Sequence, residues 1–113
     1  VKLAFITIPV PDVGAALAFY RDTLGWEEAW REGDTTVAFQ LPGTDVQLMI
    51  DKITEEGARP GPTFLVDSVK EFHESYRDKI TFAEAPQEIP GGHMTTFHDP
   101  AGNPVHVLDQ STA

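Results

Sequence analysis

The stretch VPDVGAALAFYRDTLGW, Val10–Trp26, decides how the chain is read. It has an echo, VDSVKEFHESYRDKITF, Val66–Phe82, at an offset of 56 residues. Val10 meets Val66, Asp12 meets Ser68, Val13 meets Val69, and Tyr20-Arg21-Asp22 meets Tyr76-Arg77-Asp78. Leu24 then meets Ile80, and Trp26 meets Phe82. Further on the offset drifts to 58, where Phe39 meets Phe97 and Pro42 meets Pro100. At the end it is 59, with Val46-Gln47-Leu48 on Val105-His106-Val107. A match sustained along the whole chain is the signature of an internal duplication.

Each copy reads as β-α-β-β-β. In the first, Lys2 to Val10 is rich in apolar and β-branched residues and reads as a strand. Asp12 is placed to cap a helix whose apolar face is Val13, Ala16, Leu17, Tyr20 and Leu24, and Gly25 stops it. Gly33-Asp34 reads as a two-residue hairpin turn between strands of about 26–32 and 35–41, and residues 46–50 form a third strand. The second copy begins with a strand at 62–66, then a capping box, Ser68 to Glu71. Its helix face is Val69, Phe72, His73, Tyr76 and Ile80. A strand is expected near 80–85, then a Pro/Gly loop, a strand at 93–98, the turn DPAGN and a last strand VHVLD. The first module is thus about 1–51, the linker 52–61 and the second module about 62–110.

At 113 residues one domain with a buried core is expected. The chain has no cysteine, which removes disulfides and thiolate chemistry and fits a cytoplasmic protein. No apolar run approaches the ~20 residues of a membrane span, and no leader segment is apparent. The net charge of −10 disfavours nucleic acid and anionic lipid as partners.

One β-α-β-β-β module covers a single sheet face with its helix. The expected fold is therefore α+β, with two such modules pairing to form a curved mixed sheet around a trough and the helices outside. A small-molecule site in that trough follows from the geometry. This layout, with VPDVGAALAFYRDTLGW at 10–26 and DPAGNPVHVL at 99–108, resembles the vicinal oxygen chelate superfamily. That group includes glyoxalase I, extradiol dioxygenases, and the bleomycin- and fosfomycin-resistance proteins. The resemblance covers essentially the whole chain. It also implies a homodimer.

Strand alternation assigns faces. Ala4, Ile6 and Ile8, with Val46, Leu48 and Ile50, are expected against the helix. Phe5, Thr7, Gln47 and Met49 then face the trough. In the second copy Phe64, Val66, Val105 and Val107 go to the helix, leaving Gly61, Thr63, Leu65, His106 and Leu108. The assumed hairpin register sets Trp30 opposite Val37 and Glu28 opposite Phe39, so Trp30 and Phe39 join the trough. The repeat adds His93 and Phe97.

Metal-dependent members of the superfamily carry ligands on the first and last strand of each module. The resemblance places those positions at Phe5, Gln47, Gly61 and His106. Phe5 and Gly61 cannot ligate, and the other two are neutral, a poor donor set for a divalent cation. The expectation is a binder with no metal and no cofactor, similar to the bleomycin-resistance branch, sequestering an aromatic or cationic ligand. Its walls would be Phe5, Trp30, Phe39, Met49, Phe97 and Leu108. Gln47, Thr63, His93 and His106 would supply a few polar contacts, and Thr7 also counts among the ligand-binding residues. The alternative is a metal-dependent lyase or dioxygenase. A third reading is a metal-free enzyme with His106 as catalytic acid or base.

Overall fold

The computed structural model describes residues 1–112. It divides into two units, one of Ala4–Pro60 and one of Val1–Leu3 with the chain from Gly61 onward, called here the first and second modules. Both have the β-α-β-β-β order, so the fold is α+β.

The first module has β1 (Lys2–Val10, of which Lys2 and Leu3 fall in the other unit), α1 (Val13–Leu17), β2 (Glu28–Glu32), β3 (Thr36–Gln40) and β4 (Gln47–Lys52), with strands ordered β2-β3-β4-β1. β1 lies parallel to β4, pairing Phe5 with Gln47 and Thr7 with Met49; the other neighbours are antiparallel. The core is Ala16, Val37, Phe39, Leu48 and Ile50, with Ile8, Val13, Leu17, Tyr20 and Trp26 packed against it. Asp12 caps α1, its carboxylate accepting the Ala15 N–H at 3.2 Å.

Past Leu17 the helix widens into a π turn over Ala18–Thr23, where the Leu24 N–H reaches Phe19 O at 3.0 Å. Gly25 closes it at φ 74°, a conformation glycine adopts without strain. One extra residue in the turn rotates the chain beyond it about the helix axis. Leu24, expected on the apolar face, is therefore 44% exposed. Trp26 takes up the packing instead, stacked on Tyr20 at 5.7 Å.

The second module has β5 (Gly61–Leu65), α2 (Val69–Tyr76), β6 (Gln87–Ile89), β7 (Gly92–His98) and β8 (Pro104–Leu108), in the order β5-β8-β7-β6. β5 runs parallel to β8, with Thr63 beside His106 and Leu65 beside Leu108. Val66, Val69 and Val107 form the core with Phe64, Phe72 and Phe97. Ser68 caps α2, accepting the Glu71 N–H at 3.2 Å. The strand expected near 80–85 shrinks to a single bridge, Phe82 to Phe97, and the pairing moves to Gln87–Ile89, where a loop was expected. In the DPAGN turn the Asp99 carboxylate accepts the Ala101 and Asn103 N–H groups, each at 2.9 Å.

Asp109, just past β8, is 2% exposed. Its carboxylate accepts from Val69 N–H at 2.7 Å, His93 N–H at 2.9 Å and the Ser111 hydroxyl at 2.8 Å. Burial alone would push its pKa up. The donors outweigh that and hold it at about 2. One side chain thus ties the start of α2 to β7 and to the chain after β8.

Candidate functional site

In each module the strands have one face covered by a helix and one face without. The helix side is fixed by the two cores, so strand registers sort the remaining residues.

In the first module Phe5, Thr7, Gln47 and Met49 lie on the helix-free face, opposite in alternation to Ile8, Leu48 and Ile50. Trp30 joins them. Its indole N–H donates to Gln47 Oε1 at 2.9 Å, and its ring meets Phe5 edge to face at 5.8 Å and 85°. An indole N–H can only donate, so it sets the Gln47 amide with oxygen toward Trp30 and NH2 away. Three rows cross this face. Phe5, Gln47 and Gln40 form one; Thr7, Met49, Ala38 and Trp30 the next; Pro9, Asp51, Thr36 and Glu32 the third. Thr36 donates its hydroxyl to Asp51 at 2.9 Å.

The hairpin register differs from expectation. Glu32 pairs with Thr36, so the turn has three residues, Gly33 to Thr35, and Trp30 stands opposite Ala38 rather than Val37. A bulge between Glu28 and Trp30 then restores the pairing of Glu28 with Phe39. A bulge flips alternation. Trp30 and Phe39 therefore lie on opposite faces. Phe39 is fully buried in the core, 5.6 Å from Tyr20, and the expectation that it lines the trough is corrected. Glu28 sits on the helix side with Phe39. Its carboxylate pairs with Arg31 at 2.6 Å and is 4.0 Å from Arg21, and hydrogen bonding to Arg31 keeps its pKa below the ordinary value.

In the second module Thr63, Leu65, His106 and Leu108 take the helix-free face, joined by Met94, Thr96 and His98 of β7. Thr96 Oγ1 stands 2.7 Å from His106 Nδ1 and fixes the imidazole. Two expected residues are elsewhere. Phe97 pairs with Val105 and stacks on Phe72 at 6.0 Å, on the helix side. His93 has the same alternation and is 8% exposed, with Nδ1 3.2 Å from Ser111 Oγ and 3.7 Å from Asp109. The Ser111 hydroxyl hydrogen goes to Asp109, so Nδ1 carries the proton of that contact. His93 belongs to the Asp109 network, and its assignment to the helix-free face is corrected.

Sequence reasoning missed Thr96, Asp51 and Asp109. Thr96 emerges only from the β7–β8 register. Asp51 continues the Gln47–Met49 alternation, but the apolar run that marks the strand stops at residue 50. Asp109 acts on Val69, forty positions away, which no local signal announces.

The metal positions implied by the resemblance can be tested on chemistry and space. Phe5 has no donor atom, and the Gln47 oxygen already accepts the Trp30 indole. A Cβ at position 61 would collide with the Pro104 carbonyl, so only glycine fits there. His106 has its Nδ1 against Thr96. No carboxylate stands at any of these positions, and the residues do not fit a divalent ion. Among the described residues no three His, Cys, Asp or Glu side chains form a group able to hold a metal. No helix among them is long and apolar enough to cross a membrane.

The fold has relatives. Among solved structures, a NAD-dependent benzaldehyde dehydrogenase from Legionella pneumophila superposes with a TM-score of 0.77 at 18% identity, covering 94% of this chain and 97% of that one. Methylmalonyl-CoA epimerase from Mycobacterium tuberculosis gives 0.71 at 18%, covering 96% and 87%. A glyoxalase/bleomycin resistance protein/dioxygenase superfamily member from Vibrio splendidus gives 0.63 at 21%, covering 93% and 96%. Identities this low speak to fold alone. No curated protein matches by sequence. The sequence profile of the Glyoxalase/Bleomycin resistance protein/Dioxygenase superfamily, however, matches residues 2–107, nearly the whole chain, and the protein belongs to that superfamily.

Proposed function

We propose that the protein is a small-molecule binder that needs no metal and sequesters an aromatic or cationic ligand on its helix-free sheet faces. The observation that supports this most is Trp30. It is a half-buried indole on the face that no helix covers, steadied by Gln47 and edged by Phe5. Met49 continues that surface in the first module, and His106 and Leu108 present the equivalent one in the second, whereas Thr7 and Thr63 on the same faces are buried. A fixed aromatic ring contributes roughly 0.5–2 kcal/mol to a stacked or cationic ligand. Screening aromatic and cationic compounds by thermal melting should give hits whose shift grows with concentration. Trp30→Ala should weaken those hits roughly tenfold. Unchanged affinity in that variant would remove the proposal.

The neutral donor set at positions 5, 47, 61 and 106 argues against the metal-dependent lyase or dioxygenase. Metal analysis decides it: a stoichiometric divalent ion in the purified protein, lost in His106→Ala, would restore that alternative. A second metal-free reading has its own support in the 2.7 Å contact that holds the His106 ring. There His106 is the catalytic acid or base, and a bell-shaped pH–rate profile that collapses in His106→Ala would establish it. The homodimer implied by the resemblance is part of the proposal, and light scattering at micromolar concentration tests it.

A further inference from the structure

The eight Lys and Arg residues are distributed unevenly. In the first module Arg21 is on the helical segment. Arg31 pairs with Val37 and Lys52 with Val10, both on the helix side, and Lys2, which falls in the other unit, shares its alternation with Ile6 and Ile8 along β1. Arg59 lies in the linker, Lys70 on α2, and Arg77 and Lys79 just after it. Among the described strand residues, no Lys or Arg stands on a helix-free face. In the first module that face carries two carboxylates, Asp51 and Glu32, in the row next to Trp30. Adjacent same-face rows are about 7 Å apart and neighbouring strands about 5 Å, so Glu32 lies about 7 Å along β2 from Trp30 and Asp51 roughly 12 Å away across β3.

A phosphate or carboxylate ligand would meet two carboxylates there and no Lys or Arg among the strand residues of that face. A protonated or quaternary amine would meet the Trp30 ring beside the exposed Glu32 carboxylate, with the half-buried Asp51 further across the same face. We propose that the helix-free face of the first module selects organic cations carrying an aromatic ring. Trp30 provides the ring that the cation stacks on, and Asp51 and Glu32 exclude anions. This rests on the small-molecule-binding reading and narrows it to one ligand class.

The test is a calorimetric titration with three two-ring probes, 1-methylquinolinium, 2-naphthol and 2-naphthoate. The expected order is the cation tightest by about tenfold over the neutral probe, with the anion weakest. In the Asp51→Asn, Glu32→Gln double variant the ratio of cation to anion affinity should fall at least fivefold, and added salt should lower the same ratio in the native protein. Thermal melts of the variant, and Glu32→Gln alone at an exposed position, separate charge from folding effects. If naphthol and naphthoate bind as tightly as the cation, and all three depend on Trp30, cation selection is overturned while the binding reading stands. If none binds at millimolar concentration, the binding reading fails and takes this inference with it.

Discussion

Tyr-Arg-Asp ends the helical segment of both modules, yet the two copies do different work. Tyr20 sits in a π turn and packs on Trp26 and Phe39. Tyr76 closes an α-helix, is 40% exposed, and among the described residues has a ring contact with Phe72 alone. The residue that separates them is one turn earlier. Ala16 in the first module overlays Phe72 in the second. The small residue leaves space over Phe39 that Tyr20 and Trp26 fill from further along. The large one covers Phe97 itself, stacked at 6.0 Å, and leaves Tyr76 with nothing to fill. The second module adds a device that no described residue of the first supplies, the buried Asp109 beneath the start of α2. Duplicated sequence thus yields duplicated topology with separately solved cores.

Asp109→Ala should break the comparison most severely. It strands the Val69 and His93 N–H groups in a buried place, and should cost about 3–5 kcal/mol in urea unfolding. Acid gives a gentler version of the same test. The folded pKa of about 2 lies below the unfolded value. The stabilisation is therefore complete above about pH 4 and disappears as pH falls through about 2, a loss of roughly 2 kcal/mol. Asp109→Asn should lack that step.

The next contrast is between the tyrosines. Tyr20→Ala should cost about 3 kcal/mol, because it empties a site against Phe39 and Trp26, whereas Tyr76→Ala should cost no more than about 1. Equal losses would mean that the Ala16/Phe72 exchange does not set the difference. The smallest effect is at the caps. Asp12→Ala should cost about 1 kcal/mol and Ser68→Ala about half that, since Asp109 also satisfies a first-turn donor of α2.

The duplication, the order of elements and the faces of β1, β4, β5 and β8 were legible from spacing alone. So were both N-caps and the glycine stop after the first helical segment. What spacing does not carry is hairpin register. One added turn residue and one bulge, at opposite ends of β2, cancel at Glu28 but not at Trp30. The faces of Trp30 and Phe39 are therefore inseparable from residue spacing alone. The strand itself held a hint, since Val37 and Phe39 are apolar while Thr36 and Gln40 are polar, and the apolar set belongs with the helix. β7 offers no such hint, because His93, Thr95 and Phe97 are no more apolar as a set than Met94, Thr96 and His98. The π turn and the distant reach of Asp109 leave no local mark.

The central claim is that ligands meet the side of the sheet where Trp30 stands, not the side where Trp26 and Phe39 are packed. Nitrogen-15 NMR titration with 1-methylquinolinium and 2-naphthol tests it most directly, since the two indole N–H signals report the two sides. The account predicts that the Trp30 indole and the Gln47 side-chain amide shift together and saturably, while the Trp26 indole stays in place. Shifts at Trp26 with Trp30 unmoved, or no saturable shift at either, would contradict it.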